Sequence, residues 1–183
     1  RQIFDRHYLP PLDSQEAWEQ ALERYDERIY AKTASLFSAA TEAAAVLGSA
    51  TEEQITALKD YGQLLGTGFQ IIDDLLDFQG DEATMGKPVG SDLREGIVTL
   101  PVLYYLREHP DDQRIATVVG RGGDGALVAE VVAAIRSSGA LALARERADA
   151  FVRRSLEALA PLPEGEPRRR MEALADYSVS RRK

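Results

Sequence analysis

The chain has 183 residues, 44% hydrophobic and 28% charged, enough for one globular domain with a substantial core. Its formal net charge of −8 argues against sequence-independent nucleic-acid binding, which needs a basic surface, but leaves a phosphorylated substrate open because metal ions can screen that encounter. Having no cysteine and only His7 and His109, it excludes disulfides, thiolate metal sites and cysteine nucleophiles, and a histidine-rich metal centre is not expected.

Almost every segment carries helical character. Asp13 to Glu16 forms an Asp-x-x-Glu capping box, followed by Trp18, Ala21, Leu22, Tyr25 and Ile29 at helical spacing. Ala31 to Leu47 is rich in Ala, Leu, Phe and Val with few charges, which predicts a helix buried on most sides and ended by Gly48. Thr51 to Gln54 is a second capping box, and the helix it opens is expected to run to about Phe78. Gly62, Gly66 and Gly68 inside it each cost roughly 1 kcal/mol relative to Ala, so either a close neighbouring helix or a ligand needs the room. Gly80 to Gly96, with Gly86, Pro88 and Gly90, reads as one long loop. A helix resumes near Thr99 with Pro101 in its first turn and stops by His109-Pro110. Gly120 to Gly125 and Pro161 to Pro167 read as breaks between helices near 126–136, 140–159 and 167–181. No strand-like alternation persists, and there is no internal repeat.

The chemistry is concentrated in Asp73-Asp74-Leu75-Leu76-Asp77, which places three carboxylates within five residues of an apolar run. On a helix all three can crowd one face. Like charges about 4 Å apart repel by roughly 1 kcal/mol in water and about 4 kcal/mol near a protein surface. A hard divalent cation is the simplest offset, and magnesium is commonly held by one or two carboxylates plus substrate phosphates. Gly86-Lys87-Pro88 follows on the glycine-hinged loop, where a lysine can fold over an anion. Lys32-Thr33 interrupts the Ala-rich helix. Its lysine either snorkels to the surface or points into a site that needs positive charge. Gly120-Arg121-Gly122-Gly123-Asp124-Gly125 lacks the Lys-Ser/Thr of a P-loop and reads as a turn, and Arg181-Arg182-Lys183 reads as a solvated tail. No apolar run reaches the roughly 20 residues of a membrane span, and no secretory leader is visible, so a cytoplasmic setting is the default expectation. The chain opens at Arg1, not Met, directly in helix-like sequence, and is expected to be a piece of a longer polypeptide.

Together these residues resemble the trans-type isoprenyl diphosphate synthases, the polyprenyl synthetase family. The run Gly66 to Pro101 carries the likeness: Asp73-Asp74-Leu75-Leu76-Asp77 looks like that family's second aspartate-rich motif, and Gln70 precedes it by three residues. Gly86-Lys87 and Asp92-Leu93 match the following loop, and Lys32-Thr33 with Leu36-Phe37 matches the upstream lysine-threonine segment. The resemblance covers the chain but only the C-terminal part of the family's fold. It implies an all-α, isoprenoid-synthase-type helical bundle around a central cavity, with residues 1–183 the C-terminal part of a single domain.

The implied reaction joins isopentenyl diphosphate head to tail to an allylic diphosphate, giving a longer all-trans polyprenyl diphosphate and pyrophosphate. By resemblance, magnesium ions between two aspartate-rich motifs hold the allylic diphosphate. Asp73 and Asp77 are implied as direct ligands, and Asp74 either ligates or stands one step removed. Lys32 and Lys87 are implied to contact the diphosphate, with Thr33 and Gln70 near the reacting carbon. A homodimer is the family's common state.

The first aspartate-rich motif and the basic residues that grip isopentenyl diphosphate are absent, so the segment alone is expected to be inactive. Ile97 stands where many members have lysine. The alternative is a non-catalytic or regulatory subunit of a heteromeric prenyl synthase. The intact acidic run with Lys32 and Lys87 argues against it, because a structural subunit has no need of them. A plain helical interaction domain is a third reading. The loop after the acids favours the chain-elongating enzymes over terpene cyclases.

Overall fold

The computed structural model describes residue 12 and residues 14–79, 88–121 and 124–180. Among them the regular structure is helical, with no strand, as the sequence predicts. Asp13, Gly80, Gly86, Lys87, Gly122, Gly123, His7 and the basic tail lie outside the described residues.

Helix α1 spans Gln15–Ile29. Ser14 caps it, its Oγ accepting from the Ala17 N–H at 3.1 Å. No glycine or proline interrupts the chain here. Instead of the separate helices expected, α1 continues through a π-helical turn, Tyr30–Ala34, into α2, Ser35–Leu47. The Ser35 N–H reaches back to the Tyr30 carbonyl, the i to i+5 bond of a π turn. The expectation that Ala31 to Leu47 is buried on most sides fails. Only Ala34, Ser38 and Ala45 of this stretch are buried, while Leu36 is 72% and Leu47 86% exposed. The sequence signal was the scarcity of charge, and alanine carries too little apolar surface to enforce burial. Gly48 ends α2 as predicted, but the left-handed residue is Ser49, with φ 56°. The Ala50 N–H bonds the Ala45 carbonyl and the Ser49 N–H the Val46 carbonyl, both at 3.1 Å, a Schellman closure built without glycine at the left-handed position.

Helix α3 spans Glu52–Gln79, and its predicted capping box is reciprocal. The Gln54 N–H donates to Thr51 Oγ1 at 3.3 Å, and the Thr51 N–H donates to Gln54 Oε1 at 3.1 Å. The glycine question resolves as close packing. A methyl group at Gly66 would lie 2.7 Å from Ala34 Cα, and one at Gly62 would lie 2.5 Å from the Phe37 carbonyl oxygen. At Gly68 it would meet Val152 Cγ2 at 2.9 Å.

The long loop shortens, because Ser91–Arg94 forms a helix, α4. Helix α5 spans Leu100–Glu108, with Thr99 extended at its N-cap and Pro101 in its first turn, and ends at His109 as predicted. Helix α6, Gln113–Arg121, was not anticipated and takes in Gly120, so the predicted glycine-rich turn is shorter than expected. Helix α7 spans Gly125–Ser137 and starts at a cap that the sequence reading passed over, Asp124 Oδ1 accepting from the Leu127 N–H at 2.8 Å. Helices α8, Ala140–Ala158, and α9, Glu166–Ser180, follow within a residue or two of expectation. No single described helix is long and apolar enough to cross a membrane.

The chain divides into two compact units. The first holds the segment ending at Arg28 and Asp73–Arg145, and the second holds Ile29–Ile72 and the segment from Glu146. In the first, α4 packs on α6, α6 on α7 and α5 on α7, around buried Leu93, Leu100, Ile115, Val128 and Ile135. In the second, the core is built on Tyr61, Leu65, Val152, Leu159 and Ala175. The Tyr61 hydroxyl donates to the Met171 carbonyl at 2.8 Å, and burial pushes its pKa up to about 12.

Candidate functional site

The acidic run occupies the C-terminal part of α3, where Leu75, Leu76 and Phe78 are buried. The sequence allows all three carboxylates to crowd one helix face, but the structure gives them different environments. Asp73 is exposed, whereas Asp74 and Asp77 are buried at 3% and 2% exposure. Of residues 71–78 only Asp73 is exposed, so it alone of the three acids stands on the open face of the helix.

Burial of an ionised carboxylate is costly without donors, and the structure supplies them. Asp74 Oδ2 accepts from the Tyr25 hydroxyl at 2.8 Å. Asp77 Oδ1 accepts from the Ser91 hydroxyl at 2.6 Å and the Ser91 N–H at 3.2 Å, and its Oδ2 accepts from the Asp92 N–H at 3.1 Å. Repulsion within the run is therefore offset in part by hydrogen bonds from the protein itself, beside any cation.

The loop returns to α3 through Gly90, whose N–H donates to the Asp77 carbonyl at 2.9 Å. Gly90 is left-handed, with φ 71°, and a methyl group there would come within 2.7 Å of Val132 Cγ2, so both conformation and space require glycine. Arg28 donates to the Val98 carbonyl, and its guanidinium lies 5.5 Å from the Tyr25 ring centroid. Burial foremost, then the neighbouring Asp74 charge, raises the Tyr25 pKa well above its ordinary value, so the hydroxyl stays a donor.

Of the other predicted site residues, Lys32, Thr33 and Gln70 lie in the second unit. Thr33, in the π turn, donates its hydroxyl to Gln70 Oε1 at 2.6 Å, and Gln70 is buried. Phe37 and Phe69 meet with ring centroids 5.5 Å apart. Lys32 is exposed on the same π turn. The structure thus brings together Thr33 with Gln70, which the sequence placed in one role 37 residues apart. Tyr25, Arg28 and Ser91 carry no site signature in the sequence: Tyr25 falls in an apolar stripe, and only its phenol oxygen hints at a polar partner.

As a metal site, the donor set is oxygen-only, which suits a hard cation. Among the described residues no group of three or more His, Asp or Glu side chains encloses a point where a metal could sit. The described carboxylates do not form an all-protein cage, so a cation held here would take its remaining ligands from outside them.

Comparison with known proteins agrees. Residues 2–135 match the model of the polyprenyl synthetase family. The chain is 42% identical to a short chain isoprenyl diphosphate synthase of Methanothermobacter thermautotrophicus, over 87% of this chain and 49% of that protein. It is 39% identical to the octaprenyl diphosphate synthase of Escherichia coli, over 87% of this chain and 50% of that protein. A crystal structure of a polyprenyl synthase from Caulobacter crescentus CB15, complexed with calcium and isoprenyl diphosphate, superposes with a TM-score of 0.85 at 36% identity, covering 100% of this chain and 54% of that one. The chain spans about half the length of the curated relatives it matches. On its motifs, its all-α fold and these matches, the chain belongs to the polyprenyl synthetase family.

Proposed function

We propose that the protein containing this chain is a prenyltransferase. It condenses isopentenyl diphosphate with an allylic diphosphate to give a longer all-trans polyprenyl diphosphate and pyrophosphate, in isoprenoid biosynthesis. Residues 1–183 are read as the C-terminal part of a single polyprenyl synthetase domain that lines a central cavity. The observation that carries this reading is the exposed Asp73 beside two buried, hydrogen-bonded carboxylates on one helix, within a family-matching run. The Caulobacter crescentus polyprenyl synthase, complexed with calcium and isoprenyl diphosphate, supports a divalent cation here, and we assign magnesium.

Asp73, Asp74 and Asp77 would hold the cation, with the exposed Asp73 most accessible to it. When bound, the cation supplies positive charge to the leaving diphosphate as the carbon–oxygen bond breaks. The chain's own residues do the rest. Lys32 and Lys87 would contribute positive charge to the allylic diphosphate. Thr33 donates its hydroxyl hydrogen bond to Gln70, so the lone pairs of the hydroxyl oxygen are left to favour a neighbouring allylic cation. Attack by the C4 alkene of isopentenyl diphosphate on that cation, then proton loss, completes the condensation.

Turnover needs the upstream first aspartate-rich motif, so the segment alone is inactive. The full protein is read as a cytoplasmic homodimer. The test joins the segment to its upstream portion and measures radiolabelled isopentenyl diphosphate incorporation with and without magnesium. Magnesium-dependent product from the joined protein, and none from 1–183 alone, is expected. Turnover by isolated 1–183 contradicts the division of the site, and no turnover by the joined protein favours the regulatory-subunit reading.

A further inference from the structure

A buried tyrosine hydroxyl needs a partner, and a backbone carbonyl is sufficient, as Tyr61 with Met171 shows. Tyr25 instead spends its hydroxyl on a carboxylate of the acidic run, 49 residues away in sequence and 2.8 Å away in space. Its ring is 1% exposed and is backed by the Arg28 guanidinium, which is itself tied to the Val98 carbonyl. A hydrogen bond to an ionised acceptor is roughly twice as strong as a neutral one and correspondingly more orienting. A carboxylate on a short side chain has few rotamers, and a fixed donor on one oxygen selects among them.

We propose that Tyr25 is a positioning residue for the cation and diphosphate site, setting the orientation of the Asp74 carboxylate. The inference rests on the reading of Asp73, Asp74 and Asp77 as the metal-holding run, and extends it to a residue on another helix that no motif contains. In this role Tyr25 needs no contact of its own with metal or substrate. Its effect passes through Asp74, as hydrogen-bond partners of metal-holding side chains commonly act.

The test uses the full-length protein with manganese as the probe ion and inorganic pyrophosphate as the anion. Affinity is read from the electron paramagnetic resonance signal of free manganese. Tyr25→Phe removes only the hydroxyl and is expected to weaken manganese binding about 10- to 100-fold. Tyr61→Phe, which also removes a hydroxyl from a buried hydrogen bond, is expected to stay within about twofold of the parent, separating positioning from general loosening. In an Asp74→Asn background, Tyr25→Phe is expected to add no further loss. Unchanged affinity in Tyr25→Phe while Asp74→Ala loses the ion, or a full additive loss in the double variant, overturns the positioning role alone. Unchanged affinity in both Asp73→Ala and Asp74→Ala overturns the metal-site reading, and this proposal with it.

Discussion

Asp77 holds Ser91: one carboxylate oxygen accepts both the hydroxyl and the N–H of that residue, at 2.6 and 3.2 Å. The other oxygen takes the Asp92 N–H, and the Asp77 carbonyl takes the Gly90 N–H. The last acid of the run thus ties the start of α4 to the end of α3, satisfying N–H groups that a helix start leaves open. Asp77→Ala is expected to cost about 2–4 kcal/mol, since it removes several charge-assisted bonds at a buried position. Amide exchange at Ser91 and Asp92 should quicken at the same time. Exchange rates unchanged from the parent would show that the tie is dispensable.

Thr33 and Gln70 form a second coupled pair. Thr33→Val keeps the shape but leaves buried Gln70 Oε1 without that donor. Stability should fall by about 1–2 kcal/mol. If the hydroxyl also favours the allylic cation, kcat should fall at least tenfold with little change in KM, because the interaction strengthens only in the transition state. A KM effect with unchanged kcat would place Thr33 in ground-state binding instead.

Two glycines should respond in opposite directions to alanine. At Gly66 the added methyl would sit 2.7 Å from Ala34 Cα, and backbone there cannot yield cheaply. Gly66→Ala is expected to destabilise by about 2–3 kcal/mol in chemical denaturation. Gly120 lies within α6, and a methyl group there would find no described atom within 4 Å. Gly120→Ala should therefore stabilise by about 0.5–1 kcal/mol. Equal effects at the two sites would contradict the packing argument.

The contrast shows where the sequence was informative. Periodicity and capping chemistry located α1, α3, α5, α7, α8 and α9, because Thr51 with Gln54, and Pro101, act on the local backbone. The glycines of α3 signalled a constraint, and composition could not say whether a helix or a ligand imposed it. The exposure of α2 was illegible for a different reason, since alanine tolerates either side of the surface. Helix α4 and the Asp77–Ser91 tie depend on a return of the chain over 14 residues, which no local pattern encodes. Tyr25 with Asp74 is the same case at longer range: the acids were legible, and their donors were not.

Asp112 gives a pH signature independent of the site. Arg114 donates to both its oxygens, at 2.9 and 2.7 Å, and Tyr105 donates its hydroxyl at 2.8 Å. The Arg114 bonds, more than any other cause, hold the carboxyl well below its ordinary value of 3.8. The unfolded chain therefore takes up this proton first as acid is added. The stabilisation is fully present above about pH 5, declines as pH falls through 3.8, and is lost toward the folded-state value. Arg114 is 39% exposed, so screening limits the contribution to about 1 kcal/mol. Asp112→Asn should lower the melting temperature by a few degrees at pH 7 and reduce the decline between about pH 4 and 2. A difference from the parent that stays constant across that range would contradict the assignment.

If the acidic run performs chemistry, Asp73 is the residue whose loss reveals it, because its side chain is exposed and does not carry the hydrogen bonds of Asp74 and Asp77. The measurement is steady-state incorporation of radiolabelled isopentenyl diphosphate by the full-length protein carrying Asp73→Ala, alongside its thermal unfolding. A loss of at least about a hundredfold in kcat is expected, with stability within about 0.5 kcal/mol of the parent. Turnover equal to the parent at the same magnesium concentration would contradict it.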